Sequence, residues 1–294
     1  MIRAAITIGS NSTRSLVAHT GEPFRVIHRG REETRLMLGM DEAGFITPHA
    51  LENTVFAVGK LHKECLALGA ADVCLMATSA TRDAKNSAEF VRRLKEETGL
   101  DTRIISGSEE AELAFRAVAG REERFVIDIG GGSTELTYGR DGQILRAFSA
   151  QLGASRLLKI RPIQSIADAD GMLAEARKIV KPSVCQVLSG KHAPMTGLGG
   201  TCTTCAAMVL GREAHGDEVE GIPITRQQVQ AFLRLLAPLA PAARAQVPGV
   251  PASRVHHFPH GLCILLAVME EAGVDQFTVS GRTNLDGYLM QFAD

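Results

Sequence analysis

The segment ITIGSNST at residues 6–13 recurs as IDIGGGST at residues 127–134. Both copies share their two isoleucines, first glycine, serine and threonine, and each ends an apolar stretch in a turn of small residues. The apolar stretches are typical of buried strands. Because turns of this kind present backbone N–H groups to anions, the repeat predicts two phosphate-binding turns, one in each half of the chain. We therefore expect a phosphate to be held between two related lobes.

The two copies differ at one chemically important position. The second copy carries Asp128 where the first carries Thr7, so only the second brings a carboxylate to the end of its strand. A third turn, GLGGT at residues 197–201, also follows an apolar stretch and opens a helical one. One such turn alone is typical of a tight hairpin, whereas three in one chain favour anion binding. The predicted phosphate-binding residues of the turns are Gly9, Ser10, Asn11, Ser12, Gly130, Gly131, Gly132, Ser133, Thr134, Gly199, Gly200 and Thr201.

The composition is that of a globular protein without general affinity for polyanions. Of 294 residues, 45% are hydrophobic and 22% are charged, and the formal net charge is −1. That balance disfavours disorder and gives no bulk attraction to nucleic acid or to an anionic membrane. The sequence has neither a secretory signal pattern nor an apolar run near the roughly 20 residues of a membrane helix. With six scattered cysteines, we expect a cytoplasmic protein with reduced thiols.

Predicted elements follow the same order twice, strands first and then alternating helices and strands. A polar break at residues 120–123 separates the two series. We therefore expect an N-terminal domain at residues 1–120 and a C-terminal domain at residues 121–294, each an α/β lobe with a mixed sheet. The last helix, predicted at residues 285–292, is a candidate to pack back on the N-terminal lobe.

Several segments together resemble a known family. Residues 127–136, with TSATRDA at 78–84 and ISGSEEA at 105–111, are similar to the exopolyphosphatase / guanosine pentaphosphate phosphohydrolase family. Segments 197–207 and 279–282 extend the resemblance over nearly the whole chain. It implies two ribonuclease-H-like lobes of the actin/Hsp70/sugar-kinase superfamily, with the active site in the cleft between them. It also implies release of terminal orthophosphate from polyphosphate or guanosine pentaphosphate with a divalent cation, Mg²⁺ or Mn²⁺, and often a homodimer.

The resemblance also implies roles for individual residues. Glu110 matches the family's catalytic glutamate, which orients and deprotonates the attacking water. Arg82 matches a phosphate-facing arginine. Asp128 and Glu135 match acidic positions of the metal site, where carboxylates suit Mg²⁺.

Three of these residues, Glu110, Glu135 and Arg82, have a simpler alternative. Glu109 and Glu110 could merely complement a helix N-terminus. Glu135, which alternates along its strand, could face solvent. Arg82 could form a surface salt bridge with Asp83 or Glu89.

The chain departs from the family at several places. Thr7 replaces an aspartate that supports metal binding, and Met37 and Leu38 replace a common Gly-Glu pair. The segment HHFPH at residues 256–260 is usually more apolar, and the C-terminal extension of longer members is lacking.

Two further groups of residues resemble metal sites only superficially. Cys202 and Cys205 have no second cysteine pair at zinc spacing, so we expect buried thiols on a helix. His256, His257 and His260 have no neighbouring carboxylate in the sequence, which favours a surface or substrate contact over a metal site.

The leading hypothesis is a phosphoanhydride hydrolase. Because Thr7 brings no charge, a protein that binds polyphosphate or guanosine tetra- or pentaphosphate but turns it over poorly is the alternative. An ATP-dependent kinase of the wider superfamily is a third possibility, but no acceptor motif supports it.

Overall fold

The computed structural model describes residues 1–293 and separates the chain into two compact units. Unit 1 comprises Met1–Ala117 and the segment that begins at Asn284, and unit 2 comprises Val118–Thr283. The division lies close to the predicted break at residues 120–123. The predicted C-terminal domain differs from unit 2 in its last stretch, which belongs to unit 1.

Strands and helices alternate along most of the chain. In chain order the strands are β1 (Ile2–Ile8), β2 (Thr13–His19), β3 (Arg25–Glu32), β4 (Val73–Ala77), β5 (Thr102–Ile104), β6 (Arg124–Ile129), β7 (Thr134–Arg140), β8 (Gln143–Ala150), β9 (Met195–Leu198), β10 (Pro223–Thr225) and β11 (Gln276–Val279). The helices are α1 (Pro48–Ala67), α2 (Ser79–Asp83), α3 (Ser87–Thr98), α4 (Gly107–Val118), α5 (Ala154–Ile160), α6 (Ile166–Leu188), α7 (Gly199–Leu210), α8 (Arg226–Leu236), α9 (Pro241–Arg244), α10 (Phe258–Glu271) and α11 (Asn284–Met290). Short 3₁₀ turns lie at Gly216–Val219 and Ala252–Arg254.

The two units share an arrangement of five strands, to which unit 2 adds β10 at one edge. The sheet of unit 1 has the order β3-β2-β1-β4-β5, in which β1 is antiparallel to β2 and parallel to β4. The sheet of unit 2 has the order β10-β11-β9-β6-β7-β8, with β6 antiparallel to β7 and parallel to β9. The predicted fold class, two α/β units that each contain a mixed sheet in a ribonuclease-H-like order, is confirmed.

Helices cover both faces of the unit 1 sheet, which explains why β1 is apolar nearly throughout. On one face Ile6 and Ile8 pack with residues of α1 and α3, among them Phe90. On the other face Ala5 packs with Leu285 and Leu289 of α11. Burial of these leucines places the last helix in unit 1.

Helix α1 shows how local sequence sets an element boundary. The Thr47 hydroxyl accepts a hydrogen bond from the Ala50 N–H at 3.4 Å, and Pro48 occupies the first turn, where its missing N–H is not needed. Apolar side chains then follow at helical spacing and are buried.

Strand β3 lies at the edge of the unit 1 sheet, next to β2. It ends at Glu32 because the following residues turn toward the first repeat. There the Arg35 N–H donates to the Asn11 carbonyl at 2.8 Å, and the Met37 N–H donates to the Ser10 carbonyl at 2.9 Å. These residues therefore brace the turn at residues 9–12.

The core of unit 2 is built between its sheet and the two long helices α6 and α10. Phe125, Ile127 and Leu136 of the sheet belong to one buried cluster with Val180 of α6 and Leu265 of α10. Among residues 1–293, no helix combines the length and the apolar character needed to cross a membrane.

Candidate functional site

The two repeated turns share one backbone hydrogen bond. The Gly9 N–H donates to the Ser12 carbonyl at 3.1 Å, and the Gly130 N–H donates to the Ser133 carbonyl at 3.0 Å. A Cβ at Gly9 would lie only 2.9 Å from the Ser12 oxygen, so the tight turn requires glycine there. The sequence repeat is therefore a structural repeat.

The turn of unit 1 lies at one edge of the sheet with the ends of the neighbouring strands. The Thr78 N–H donates to the Ile8 carbonyl at 3.1 Å, and the Ile105 N–H donates to the Ala77 carbonyl at 3.0 Å. Helices α2 and α4 begin at this edge and carry Arg82 and Glu110. The fold thus brings the three segments of unit 1 that the sequence selects to one side of its sheet.

Arg82 and Glu110 form a largely buried ion pair. Arg82 Nη1 lies 2.6 Å from Glu110 Oε2 and donates a second hydrogen bond to the Ile105 carbonyl, also at 2.6 Å. The side chains are 18% and 11% exposed, so the pair is not the surface contact with Asp83 or Glu89 that the sequence leaves open. Among residues 1–293, the buried Nη2 of Arg82 has no hydrogen-bond partner, which leaves a donor for a ligand.

The two adjacent glutamates of α4 have different environments. Glu109 forms a capping box: its carboxylate accepts from the Ser106 N–H at 2.7 Å, and its own N–H donates to Ser106 Oγ at 3.2 Å. The hydrogen bond from the Ser106 backbone lowers the pKa of Glu109. Helix capping therefore accounts for Glu109 but not for Glu110, which turns toward Arg82.

Asp128 and Glu135 form a carboxylate pair across two strands of unit 2. They are direct partners in the β6–β7 register, so both side chains point to the same face. Glu135 is 4% exposed and accepts a 2.8 Å hydrogen bond from Ser149 Oγ on β8. The alternative that Glu135 faces solvent is therefore wrong.

The second and third turns lie side by side in unit 2. Gly199 has a left-handed φ of +80°, and a Cβ there would lie 2.4 Å from Asp128 Oδ1 and 2.8 Å from the Ile129 carbonyl. Only glycine allows the third turn to pass so close to Asp128. The carboxylate thus lies beside two glycine turns.

Two arginines that the sequence analysis does not select lie against the turns of unit 2. Arg156 Nε donates to the Gly132 carbonyl at 2.7 Å. The guanidinium of Arg254 covers Gly200, where a Cβ would come within 2.0 Å of its Cζ. The two side chains bring positive charge to the second and third turns. Neither belongs to a glycine-rich motif, so only the folded chain reveals them.

Two of the predicted phosphate-binding residues, Thr134 and Thr201, are buried in unit 2. The Thr134 hydroxyl is buried and donates to the Leu152 carbonyl at 2.6 Å. Thr201 is buried against α10, where a Cβ on Gly261 would lie 2.2 Å from its Oγ1. The Thr134 hydroxyl therefore stabilises unit 2 internally. Phosphate binding by Thr134 and Thr201 stays a prediction.

The cysteine and histidine groups do not form a metal site. Cys202 and Cys205 are free, fully buried thiols on α7, as predicted, and burial raises the pKa of both. His260 is also fully buried, with Nε2 2.9 Å from the Arg161 carbonyl. Within residues 1–293, no three His, Cys, Asp or Glu side chains are grouped to hold a metal by themselves.

Comparisons with known proteins agree with this arrangement. A family model described as the Ppx/GppA phosphatase family matches residues 15–293. Exopolyphosphatase 2 of Mycobacterium tuberculosis is 32% identical over an alignment that covers 99% of this chain and 98% of that protein. The PPX-GPPA enzyme of Aquifex aeolicus is 26% identical with a TM-score of 0.82, and the match covers 99% of both chains. An exopolyphosphatase from Cytophaga hutchinsonii, 21% identical, has the same fold with a TM-score of 0.90 over 100% of this chain and 99% of that one.

Proposed function

Because the chain belongs to the Ppx/GppA phosphatase family, we propose that it is a phosphoanhydride hydrolase that releases terminal orthophosphate from inorganic polyphosphate, guanosine pentaphosphate or both. The relative named exopolyphosphatase 2 supports polyphosphate as a substrate. Phosphoryl transfer needs positioned charge more than covalent chemistry, and both units offer glycine turns with cations or carboxylates close by.

This proposal rests mainly on the position of Glu110. We assign Glu110 as the base that orients the attacking water and accepts its proton. Its carboxylate is largely buried at the edge of the sheet that holds the first turn, and Arg82 fixes its orientation. A nearby guanidinium favours the ionised carboxylate, which is the form that accepts a proton.

The glycine turns would bind phosphate oxygens through backbone N–H groups. In unit 2, Arg156 and Arg254 would add positive charge at the turns that they contact. In unit 1, the free Nη2 of Arg82 would add a further donor.

The carboxylate pair of unit 2 fits a magnesium ion whose shell the substrate completes. In such sites Mg²⁺ takes one or two carboxylates together with phosphate oxygens and water, so a larger cluster of protein ligands is not needed. Asp128 and Glu135 supply two carboxylates from adjacent strands. When bound there, the ion would neutralise negative charge on the transferred phosphate.

Phosphate release should be measured in parallel on long-chain polyphosphate, short-chain polyphosphate, guanosine pentaphosphate and ATP. We expect Glu110→Gln to reduce kcat by about 10²- to 10⁴-fold on the preferred substrate. Glu109→Gln is the matched control, because it alters the same helix turn without touching Arg82, and it should retain near-normal kcat. Full activity of Glu110→Gln would overturn the assignment of the base.

The second candidate function is a regulatory protein that binds these phosphates and hydrolyses them poorly. The observation that favours it is Thr7, which leaves unit 1 without the carboxylate that unit 2 carries at the same position. Calorimetric binding beside the release assay separates the two functions, since tight binding without turnover, with turnover restored by Thr7→Asp, would favour the regulator.

A further inference from the structure

The repeated strand–turn–strand segments carry opposite charges at one pair of positions. In unit 1 Thr7 lies opposite Arg14, and in unit 2 Asp128 lies opposite Glu135 in the same register relative to the turn. The formal charge of the pair is therefore +1 in unit 1 and −2 in unit 2. The strand ends beside the two turns thus carry formal charges of opposite sign, although the turns share one backbone frame.

The Thr7 hydroxyl is buried without a partner. The residue is 5% exposed, and its Oγ1 makes no hydrogen bond to any of residues 1–293. Across its face of the sheet the register partners are Met76 on β4 and Arg14 on β2, and a guanidinium offers no acceptor. Buried hydroxyls usually have partners, so this hydroxyl, at the end of the strand that leads into the turn, is available to donate to a ligand atom.

The surrounding charges favour an anion as that ligand. Arg14 Nε donates to Ser12 Oγ of the turn at 3.2 Å, and Arg31 is its register partner on β3. The carboxylate of Glu33 is engaged by Arg31 and by Asn11 Nδ2, the latter at 3.3 Å. A divalent cation at this end of β1 would be repelled by the guanidinium groups, whereas a phosphate would be attracted.

We propose that the Thr7 hydroxyl donates a hydrogen bond to a phosphate oxygen bound at the turn of residues 9–12, and that unit 1 makes this contact without a metal ion. The divalent cation then depends on Asp128 and Glu135 of unit 2. Where the family aspartate would support the metal, this chain has a direct anion contact instead. The inference rests on the proposed function, because it presumes a phosphoanhydride ligand.

The first test measures binding of tripolyphosphate by calorimetry in EDTA, so that no metal contributes. Thr7→Val keeps the side-chain shape and removes the donor. It should weaken tripolyphosphate binding about tenfold, which is the loss expected when one hydrogen bond to a charged group is removed. Thr7→Ser keeps the hydroxyl and should bind within about twofold of wild type. Ser15→Ala is the matched control, because it removes a buried hydroxyl from the α1 face of the same sheet. The melting temperature reports folding, and Thr7→Val should not melt below wild type.

The second test measures Mn²⁺ binding to the substrate-free protein by electron paramagnetic resonance. Thr7→Val should bind Mn²⁺ as wild type does, Asp128→Asn should bind it more weakly, and Thr7→Asp should bind it more tightly while losing tripolyphosphate affinity in EDTA. The inference would be overturned if Thr7→Val bound tripolyphosphate as tightly as wild type does, or if it bound Mn²⁺ more weakly. In either case, phosphate release by the wild-type protein would leave the proposed function standing. A wild-type protein that neither binds tripolyphosphate nor releases phosphate from any substrate would overturn both.

Discussion

Arg82 joins Glu110 to the end of the unit 1 sheet, because one nitrogen, Nη1, lies 2.6 Å from both Glu110 Oε2 and the Ile105 carbonyl. The carboxylate is therefore held by a side chain from another helix. Ile105 directly follows β5, so the position of the candidate base is set by the sheet itself.

Replacement of Arg82 by lysine should show whether kcat depends on the positive charge at this position or on the shape of the guanidinium. A lysine keeps the positive charge but loses the planar guanidinium that contacts two acceptors and leaves Nη2 free. We expect kcat on the preferred phosphoanhydride to fall up to about 100-fold through misplacement of Glu110. Arg93→Lys, which alters a surface ion pair with Glu52, is the control for an arginine exchange on the same unit. Equal kcat values for the two variants would contradict the positioning role.

Gly199→Ala should disturb the acidic pair as well as the backbone. The left-handed φ of +80° penalises any side chain by about 1–2 kcal/mol, and the new Cβ would additionally collide with Asp128 Oδ1. Gly211→Ala has a similar φ of +68° with no atom near the new Cβ, so it should show the backbone penalty alone. Urea unfolding should rank Gly199→Ala as the less stable variant, and its Mn²⁺ affinity should fall while that of Gly211→Ala does not.

His260 should make unit 2 sensitive to mild acid. Burial lowers the pKa of His260 from 6.5 to about 4, so the unfolded chain binds this proton more readily than the folded one. The contribution of His260 to the free energy of unfolding is therefore fully present above pH 6.5 and is lost as the pH falls toward 4. At 1.36 kcal/mol for each pKa unit, the loss amounts to about 3 kcal/mol.

Denaturant unfolding at pH 7 and pH 4.5 checks the His260 prediction. His260→Gln keeps a donor for the Arg161 carbonyl and removes the titrating group, so its stability should change less between the two pH values. His49→Gln, at an exposed position on α1, serves as the control and should follow the wild-type pH dependence. If the free energy of unfolding of His260→Gln fell between pH 7 and pH 4.5 as much as that of wild type, the acid sensitivity would come from other groups.

The Arg29–Asp286 pair should hold α11 on the sheet of unit 1. Two hydrogen bonds of 2.9 and 2.6 Å join the guanidinium to a carboxylate that is only 1% exposed. Arg29→Met leaves that carboxylate without its charge partner, so it should lower the free energy of unfolding by about 2–3 kcal/mol. A double-mutant cycle with Asp286→Asn should give a coupling above about 1 kcal/mol, and the exposed pair Arg93–Glu52 should give less.

The sequence was sufficient to predict the backbone frame of the candidate site. Repeated glycines at positions 9 and 130 dictate the two turns, because each must pass close to the carbonyl three residues later. Apolar continuity up to each turn also predicted β1 and β6. The capping-box pattern of Ser106 and Glu109 indicates that Glu109, and not Glu110, caps the helix. The different role of Glu110 becomes clear only in the structure, where Arg82 lies beside it.

Contacts between distant segments could not be predicted in the same way. Arg254 reaches Gly200 from more than fifty residues along the chain, and Arg156 reaches Gly132 only because α5 begins against the turn. Thr134 shows that the residue type alone does not determine the role of a side chain. A threonine hydroxyl can bind phosphate or donate to a carbonyl, and here it donates to the Leu152 carbonyl. Tertiary geometry decides between such uses.

The return of the chain to unit 1 at α11 has a consequence for biosynthesis. Translation produces the strands of unit 1 first, but Leu285 and Leu289, which complete one face of that sheet, follow every residue of unit 2. Unit 2 is continuous in sequence, and all of its residues are polymerised before those of α11. Unit 1 is thus translated first but is the last to complete its core. Ala5 and Leu16 can pack against α11 only after unit 2 has been synthesised.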